Sequence, residues 1–285
     1  MSIIKEALAL SHQMAEALSL PTVSHVYLPE QSGEPGFRDE FALIFLEDGT
    51  TSAFYASLPG ALQALRSHGQ AANYFKGLKL FDLVQGLVEN DLARQAVAIG
   101  AFNAMSQYLM KQAGLLPELT AQRKVSTQPL SKGDCVGMVG YFCPLVDKLL
   151  AKGVDVLVLE RQKERVLVRE GVRLAQNASE LAACHSVLCT ASTLVNDSLD
   201  DLLNDISGTG VGVPEFSLIG PSGSGLVDHL FTRKITSVGG VYFPDQQALW
   251  GRLNQNESWG DAGLKYTLNR DNYPGISELL KRASI

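Results

Sequence analysis

The most constraining feature of this sequence is an alternation, in its second half, between short apolar runs and helical patterns. Each run is five to seven residues long and has the apolar character of a strand that is buried on both faces. The runs lie at residues 136–141, 154–159, 186–190, 215–219 and 236–242, and helical segments begin near Pro144, Val166, Asp197, Gly225 and Asp245. Parallel strands need such crossovers. We therefore predict a Rossmann-like parallel α/β sheet.

The first half of the chain has a different order, with its strands clustered ahead of most of its helices. An amphipathic helix is predicted over residues 2–18, followed by strands at 23–28, 41–46 and 51–56, and then helices at 58–67, 75–88 and 91–113. The Asp48-Gly49 pair indicates a hairpin turn. We predict an α+β domain at residues 1–120 and the Rossmann-like domain at residues 125–285, since the helical pattern fades between Gly114 and Lys132.

Composition narrows the classes of partner. The 24 basic and 30 acidic residues give a net charge of −6, and the basic residues are scattered, which disfavours nucleic acid. No stretch approaches the roughly 18 apolar residues of a membrane span. The four cysteines lack C-x-x-C spacing, so we expect inert thiols in a reducing cytoplasm. The sequence leaves open whether the chain forms a homo-oligomer.

Candidate ligand-binding residues follow the predicted strands, because open parallel sheets bind ligands beyond the carboxyl ends of their strands. We expect a cleft there, lined by Tyr141, Phe142, Glu160, Thr193, Asn196, Ser222, Gly223 and Ser224. Glu160 lies 20 residues after Gly140, where dinucleotide-binding domains place the acid that holds a ribose. The alternative is a surface carboxylate with Arg161 and Arg165 as ion-pair partners.

The glycine-rich turn at residues 220–225 is the most informative local motif. Amides and serine hydroxyls at a helix start can bind an anion or carboxylate. The turn lacks the Gly-Lys-Ser/Thr of a P-loop, so nucleotide triphosphate hydrolysis is not predicted. The alternative is a βα turn whose serines only cap the helix.

Metal ligation is a further hypothesis. Thiolate and imidazole suit divalent transition metals, which makes Cys143 and His229 candidate ligands and such a metal the candidate cofactor. The alternative is that each is a structural or surface residue.

Five motifs occur in order in the second half of the chain: VGMVGYFCPLVDKL, Glu160-Arg161, TASTLVNDSLDDLL, LIGPSGSGLVDHLF and Val238-Gly239-Gly240. Through these motifs the second half resembles the family described as putative heavy-metal chelation proteins. The resemblance implies an enolase-N-terminal-like α+β domain followed by a Rossmann-like domain, with a ligand cleft between them. In the first domain it depends on the hairpin and on residues 98–104, which add Asn103 to the candidate cleft. Ser224-Gly225 departs from the family's Thr-Pro.

Two function classes remain open at this point. The resemblance implies a protein that handles metal ions or a metal-binding small molecule. Such a protein needs thiolate or imidazole ligands in the cleft, which Cys143, itself a departure from the family, and His229 could supply. The alternative is an enzyme that acts on a small anionic metabolite with a nucleotide-like or adenosyl cofactor, in which the turn at Ser222 binds an anion and Glu160 a ribose.

Overall fold

The computed structural model describes residues 1–29, 40–69, 74–116, 119, 130–208, 210, 215–255 and 257–284. Three strands form a small antiparallel sheet in the order β1-β2-β3: β1 (Val23–Tyr27), β2 (Phe41–Leu46) and β3 (Thr51–Tyr55). Helices pack around it: α1 (Ile3–Ala17), α2 (Ala61–Gly69), α3 (Leu80–Val84), which continues as a 3-10 turn at Gln85–Val88, and α4 (Leu92–Gln112).

Helix α4 lies between the small sheet and the rest of the molecule. Asp91 begins it by accepting hydrogen bonds from the amides of Ala93 and Arg94, at 2.8 and 3.0 Å. Most of its residues are buried, which explains why its small and apolar residues are not confined to one face. At Gly100 a Cβ would lie 2.4 Å from a ring carbon of Phe54, so the missing side chain lets α4 approach β3 closely.

Seven strands form the large sheet: β4 (Cys135–Val139), β5 (Asp155–Leu159), β6 (Val172–Leu174), β7 (Ser186–Thr190), β8 (Glu215–Ile219), β9 (Ser237–Tyr242) and β10 (Leu264–Asn269). Their order is β10-β9-β8-β7-β4-β5-β6, and only β10 pairs antiparallel. The helices of this part are α5 (Cys143–Leu150), α6 (Ser192–Val195), α7 (Leu199–Ser207), α8 (Asp228–Phe231), α9 (Gln246–Asn254) and α10 (Ile276–Ala283).

The structure confirms a mixed α/β fold with a large, mostly parallel sheet and a small antiparallel one. The predicted helix near Val166 is wrong: a 3-10 turn at Lys163–Arg165 leads into β6. The helix predicted from Gly225 begins at Asp228 and has four residues. The division at residues 1–120 and 125–285 stays a prediction, and part of that junction lies outside the described residues. No helix in the described ranges has both the length and the apolar character to span a membrane.

Candidate functional site

The turn after β8 joins the two sheets. Ser222 is 1% exposed, and its Oγ accepts a hydrogen bond from the amide of Tyr55 on β3 at 2.9 Å. Its carbonyl accepts from Asn103 Nδ2 at 3.0 Å. Ser224 Oγ accepts from the amide of Val241 on β9 at 3.0 Å and donates to the Pro221 carbonyl at 2.6 Å. Both serine hydroxyls are therefore engaged in contacts that hold the fold together.

The amides of this turn are also engaged. Gly223 N donates to the Gly220 carbonyl at 3.0 Å, and Ser224 N donates to the Pro221 carbonyl at 3.2 Å. An anion could bind these amides only by displacing those bonds. The geometry favours the structural interpretation of the turn over the anion-binding one.

A small cavity adjoins the turn. Its volume is about 10 Å³, room for roughly one water molecule, and its lining includes Asn103, Ser222, Gly223 and His229. His229 is 4% exposed, and its Nδ1 has no hydrogen-bond partner among the described residues. Burial lowers the pKa of His229 to about 3, so the imidazole is neutral at physiological pH.

The two candidate metal ligands do not share a site. Cys143 is exposed at the start of α5, whereas His229 is buried in a cavity that Cys143 does not line. Across the described part of the chain, no group of three or more His, Cys, Asp or Glu side chains could hold a metal ion. The residues present therefore do not fit a metal ion held by Cys143 and His229.

A second region, which we call the crevice, lies where the strand order of the large sheet reverses, between β4 and β7. The chain leaves β4 through Gly140, whose φ of +84° suits glycine, and its amide donates to the Leu159 carbonyl at 2.9 Å. A Cβ at Gly140 would lie 3.2 Å from Thr190 Cγ2 at the end of β7. The segment that follows β4 thus passes close to the last residue of β7.

Polar side chains border the crevice. With the Asn196 amide oriented to satisfy its hydrogen bonds, its oxygen accepts from Arg161 Nη1 at 3.3 Å, and its nitrogen donates to Ser198 Oγ at 2.6 Å and to the Thr193 carbonyl at 3.3 Å. Arg161 follows β5 and Asn196 follows α6, so this contact spans the end of β4. Thr193 itself is buried, and its Oγ1 donates to the Thr190 carbonyl at 2.7 Å.

The remaining predicted residues near this point are two aromatic side chains and one carboxylate. Tyr141 and Phe142 pack against the apolar cluster that contains Val146 and Val158. Burial raises the pKa of the Tyr141 hydroxyl, which stays protonated at neutral pH. Glu160 Oε1 accepts a hydrogen bond from the amide of Gln162 at 3.0 Å. The carboxylate thus caps the loop in which it lies.

The predicted site residues therefore fall into two groups. Tyr141, Phe142, Cys143, Glu160, Thr193 and Asn196 lie at or beside the crevice, whereas Asn103, Ser222, Gly223, Ser224 and His229 lie at the junction of the two sheets. Sequence reasoning assigned Arg161 only as an ion-pair partner and missed its contact with Asn196. Its place directly after a strand was the available signal.

Comparisons with known proteins agree with this architecture. The protein-family model DUF364, described as "Putative heavy-metal chelation", matches residues 124–266. A DUF364 protein with unknown function from Pyrococcus horikoshii aligns with a TM-score of 0.61 and 17% identity, over 94% of this chain and 98% of that chain. One from Desulfitobacterium hafniense DCB-2 aligns with a TM-score of 0.62 and 16% identity, over 93% and 99%. These identities show the fold alone. Curated proteins gave no significant match.

Proposed function

Since this chain belongs to the DUF364 family, we propose that it binds a small metal-chelating molecule in the crevice at the ends of β4, β5 and β7. The family description supports a metal-related role. The observation that supports the placement is the approach of Arg161 Nη1 to the Asn196 side-chain amide at 3.3 Å, because the two residues follow β5 and β7, the neighbours of β4 on either side of the point where the strand order reverses.

The position of the crevice supports ligand binding on general grounds. If β4 is numbered as the first parallel strand, the six parallel strands have the spatial order 3-2-1-4-5-6 across the sheet. Doubly wound dinucleotide-binding folds have the same order. In such sheets the ligand lies at the reversal point. This order supports the Rossmann-like assignment, and the small sheet with its following helices is compatible with the enolase-N-terminal-like one.

The chemistry of the crevice favours an organic ligand over a bare ion. The described residues offer no cluster of three metal-ligating side chains. They do offer the guanidinium of Arg161 and the hydroxyls of Thr190 and Ser192, which lie 3.0 Å apart. Guanidinium and hydroxyl groups bind carboxylates, and an aromatic wall accommodates a flat ligand. A molecule that holds the metal through its own donor atoms fits these groups.

Thermal-shift measurements test this proposal. The probes are ferric citrate as a metal chelate, citrate alone, and divalent zinc, copper and nickel alone. A ligand at 100 times its Kd stabilises the folded state by about 2.7 kcal/mol. We expect the chelate to raise the melting temperature of the wild type more than the bare ions do, and Arg161→Ala or Asn196→Ala to abolish that rise.

Lys148→Ala is the matched control, since it removes an exposed positive charge from α5 without changing the polar border of the crevice. It should keep the full shift. A shift that survives both crevice substitutions would contradict the proposed site. A larger shift with bare ions than with the chelate would contradict the proposed ligand class.

One observation favours a second function, an enzyme with a nucleotide-like or adenosyl cofactor. Glu160 follows β5, the second strand counted from β4, which is where ribose-binding acids occur. The loop after β4 lacks the G-x-G-x-x-G pattern, so any such cofactor would bind without the usual pyrophosphate contacts. Adenosine monophosphate added to the same assay, with Glu160→Gln as the variant, distinguishes the two: this function requires a shift that Glu160→Gln abolishes.

The cellular setting is also a proposal. All four cysteines are free, which supports a reducing compartment, and we propose the cytoplasm. The net charge of −6 supports a small-molecule partner and not nucleic acid. Whether the chain forms a homo-oligomer is open to measurement by light scattering.

A further inference from the structure

Two cysteines that are far apart in sequence meet at the amino-terminal edge of the large sheet. Cys135 is the first residue of β4, and Cys184 lies two residues before β7. Their Sγ atoms are 3.5 Å apart, and the amide of His185 donates to the Cys135 carbonyl at 2.8 Å. The pairing of β4 with β7 creates this contact.

The two thiols differ in exposure and in acidity. Cys135 is partly exposed, whereas Cys184 is 4% exposed. The hydrogen bond from Cys184 lowers the pKa of Cys135 to about 7, and the Arg173 guanidinium also lowers it. Burial and the Asp155 carboxylate raise this pKa but have the smaller effect. The same contact and burial raise the pKa of Cys184. Cys135 is thus the more acidic and the more exposed of the two thiols, and Cys184 is the less acidic one.

The other two cysteines have different surroundings. Cys189 is fully buried, and burial raises its pKa to about 12. Cys143 is exposed on α5. Among the described residues, it forms no hydrogen bond with Cys135 or Cys184. Within the described chain, the contact between Cys135 and Cys184 is the thiol pair suited to reversible chemistry.

We propose that Cys135 and Cys184 form a reversible thiol–disulfide site for small hydroperoxides. The Cys135 thiolate attacks a peroxide oxygen, the O–O bond breaks, and the departing hydroxide or alkoxide takes a proton from solvent, which leaves a sulfenic acid on Cys135. The Cys184 sulfur then attacks the Cys135 sulfur. An S–S bond forms, the S–O bond breaks, and the hydroxyl leaves as water with the thiol proton. The two sulfurs supply the two electrons that reduce the peroxide.

The geometry needs little adjustment for this step. A disulfide has an S–S length of about 2.05 Å, so the two sulfurs must approach by about 1.5 Å. Five residues of β4 separate this edge from the crevice, or about 16 Å at roughly 3.3 Å per residue. The site is therefore independent of the proposed ligand-binding function.

The experiment is oxidation of the full chain with stoichiometric hydrogen peroxide, followed by mass spectrometry. Chymotrypsin separates Cys135 from Cys143 at Tyr141 or Phe142, and Cys184 from Cys189 at Leu188. We expect a loss of about 2 Da, a peptide pair linked through Cys135 and Cys184, and full reversal by dithiothreitol. In Cys184→Ala, the sulfenic acid on Cys135 should persist and be trapped by dimedone.

Cys143→Ser is the matched control and should form the same linked peptides as the wild type. Cys135→Ser should leave Cys184 reduced at the same peroxide dose, provided that circular dichroism shows a native fold; Cys135→Ala replaces it if it does not. Oxidation confined to Cys143, or intermolecular dimers with Cys135 and Cys184 still reduced, would overturn the proposal.

Discussion

Replacing Ser222 with alanine removes the acceptor of a part-buried hydrogen bond that joins the turn after β8 to the small sheet. The Ser222 side chain is 1% exposed, and its Oγ lies 2.9 Å from the amide nitrogen of Tyr55, which is 167 residues away in sequence. Depriving a buried donor of its acceptor costs about 1–3 kcal/mol. Removing the oxygen also enlarges the small cavity that Ser222 lines, but by less than one methylene group, so the lost hydrogen bond dominates the change. We expect the free energy of unfolding to fall by about 1–3 kcal/mol.

Urea unfolding, followed by tryptophan fluorescence and by circular dichroism, measures this change. A midpoint shared by the two signals would show that both parts of the chain unfold together, which is the condition for a single free energy of unfolding. The midpoint should fall while the m-value stays constant, because the surface exposed on unfolding is unchanged. Ser67→Ala is the matched control: its exposed Oγ donates only to the Ala64 carbonyl in the same helix, and a change within about 0.5 kcal/mol is expected.

A Ser222→Ala variant as stable as the wild type would refute this reasoning. If that variant had also lost binding of a small anion, the result would show that the Ser222 hydroxyl contacts ligand and does not join the turn to β3.

The same unfolding assay tests close packing at Gly225, where a Cβ would lie 2.6 Å from a ring carbon of α4. Gly225→Ala should lower the free energy of unfolding by about 1–3 kcal/mol. At Gly251 no atom lies within 4 Å of an added Cβ, so Gly251→Ala should raise the free energy of unfolding by about 0.5–1 kcal/mol. The contribution of His229 to stability should fall by about 1.4 kcal/mol per pH unit as the pH drops from 6.5 toward 3, because the unfolded chain binds a proton that the buried imidazole does not. His229→Gln should therefore lower the overall slope by about that amount, and equal slopes in the two proteins would contradict the burial argument. The hydrogen bond from Arg233 lowers the pKa of Glu6. The ion pair therefore stabilises the folded chain above the ordinary pKa of 4.5, and this stabilisation is lost as the pH falls through the lowered value. Arg233→Gln should raise the pKa of Glu6 toward 4.5 in an NMR titration, and an unchanged value would disprove the pairing.

Much of the fold could be predicted because short apolar runs between turns identify buried strands directly. The strands at Ser186–Thr190 and Glu215–Ile219 begin and end at the residues predicted from sequence. The helix predicted near Val166 does not form, and the apolar residues Leu167 and Val168 that follow are 59% and 58% exposed, so a helix there would have no apolar face to bury. Edge strand β6 has three residues, too few for a periodic pattern.

Less of the site could be predicted, because its main contacts join residues distant in sequence. The turn at residues 220–225 has the composition of an anion-binding loop, and only the positions of Tyr55, Asn103 and Val241 show that its groups are engaged. The crevice followed from a topological rule, since strand ends can be identified locally. The pair of Cys135 and Cys184 required the strand order, which spacing alone does not provide.

The contacts of α1 have a consequence for biosynthesis. Ile3 N donates to Asp200 Oδ2 at 2.8 Å, and Arg233 bonds Glu6 at 2.8 Å across 227 residues of sequence. A ribosome that adds roughly 5–20 residues per second supplies Arg233 about 10–45 s after Glu6. During that time α1 can pack against α3 and α4, whereas its contacts with α8 and α10 have still to form. The amino-terminal helix therefore completes its packing only after nearly the whole chain has been synthesised.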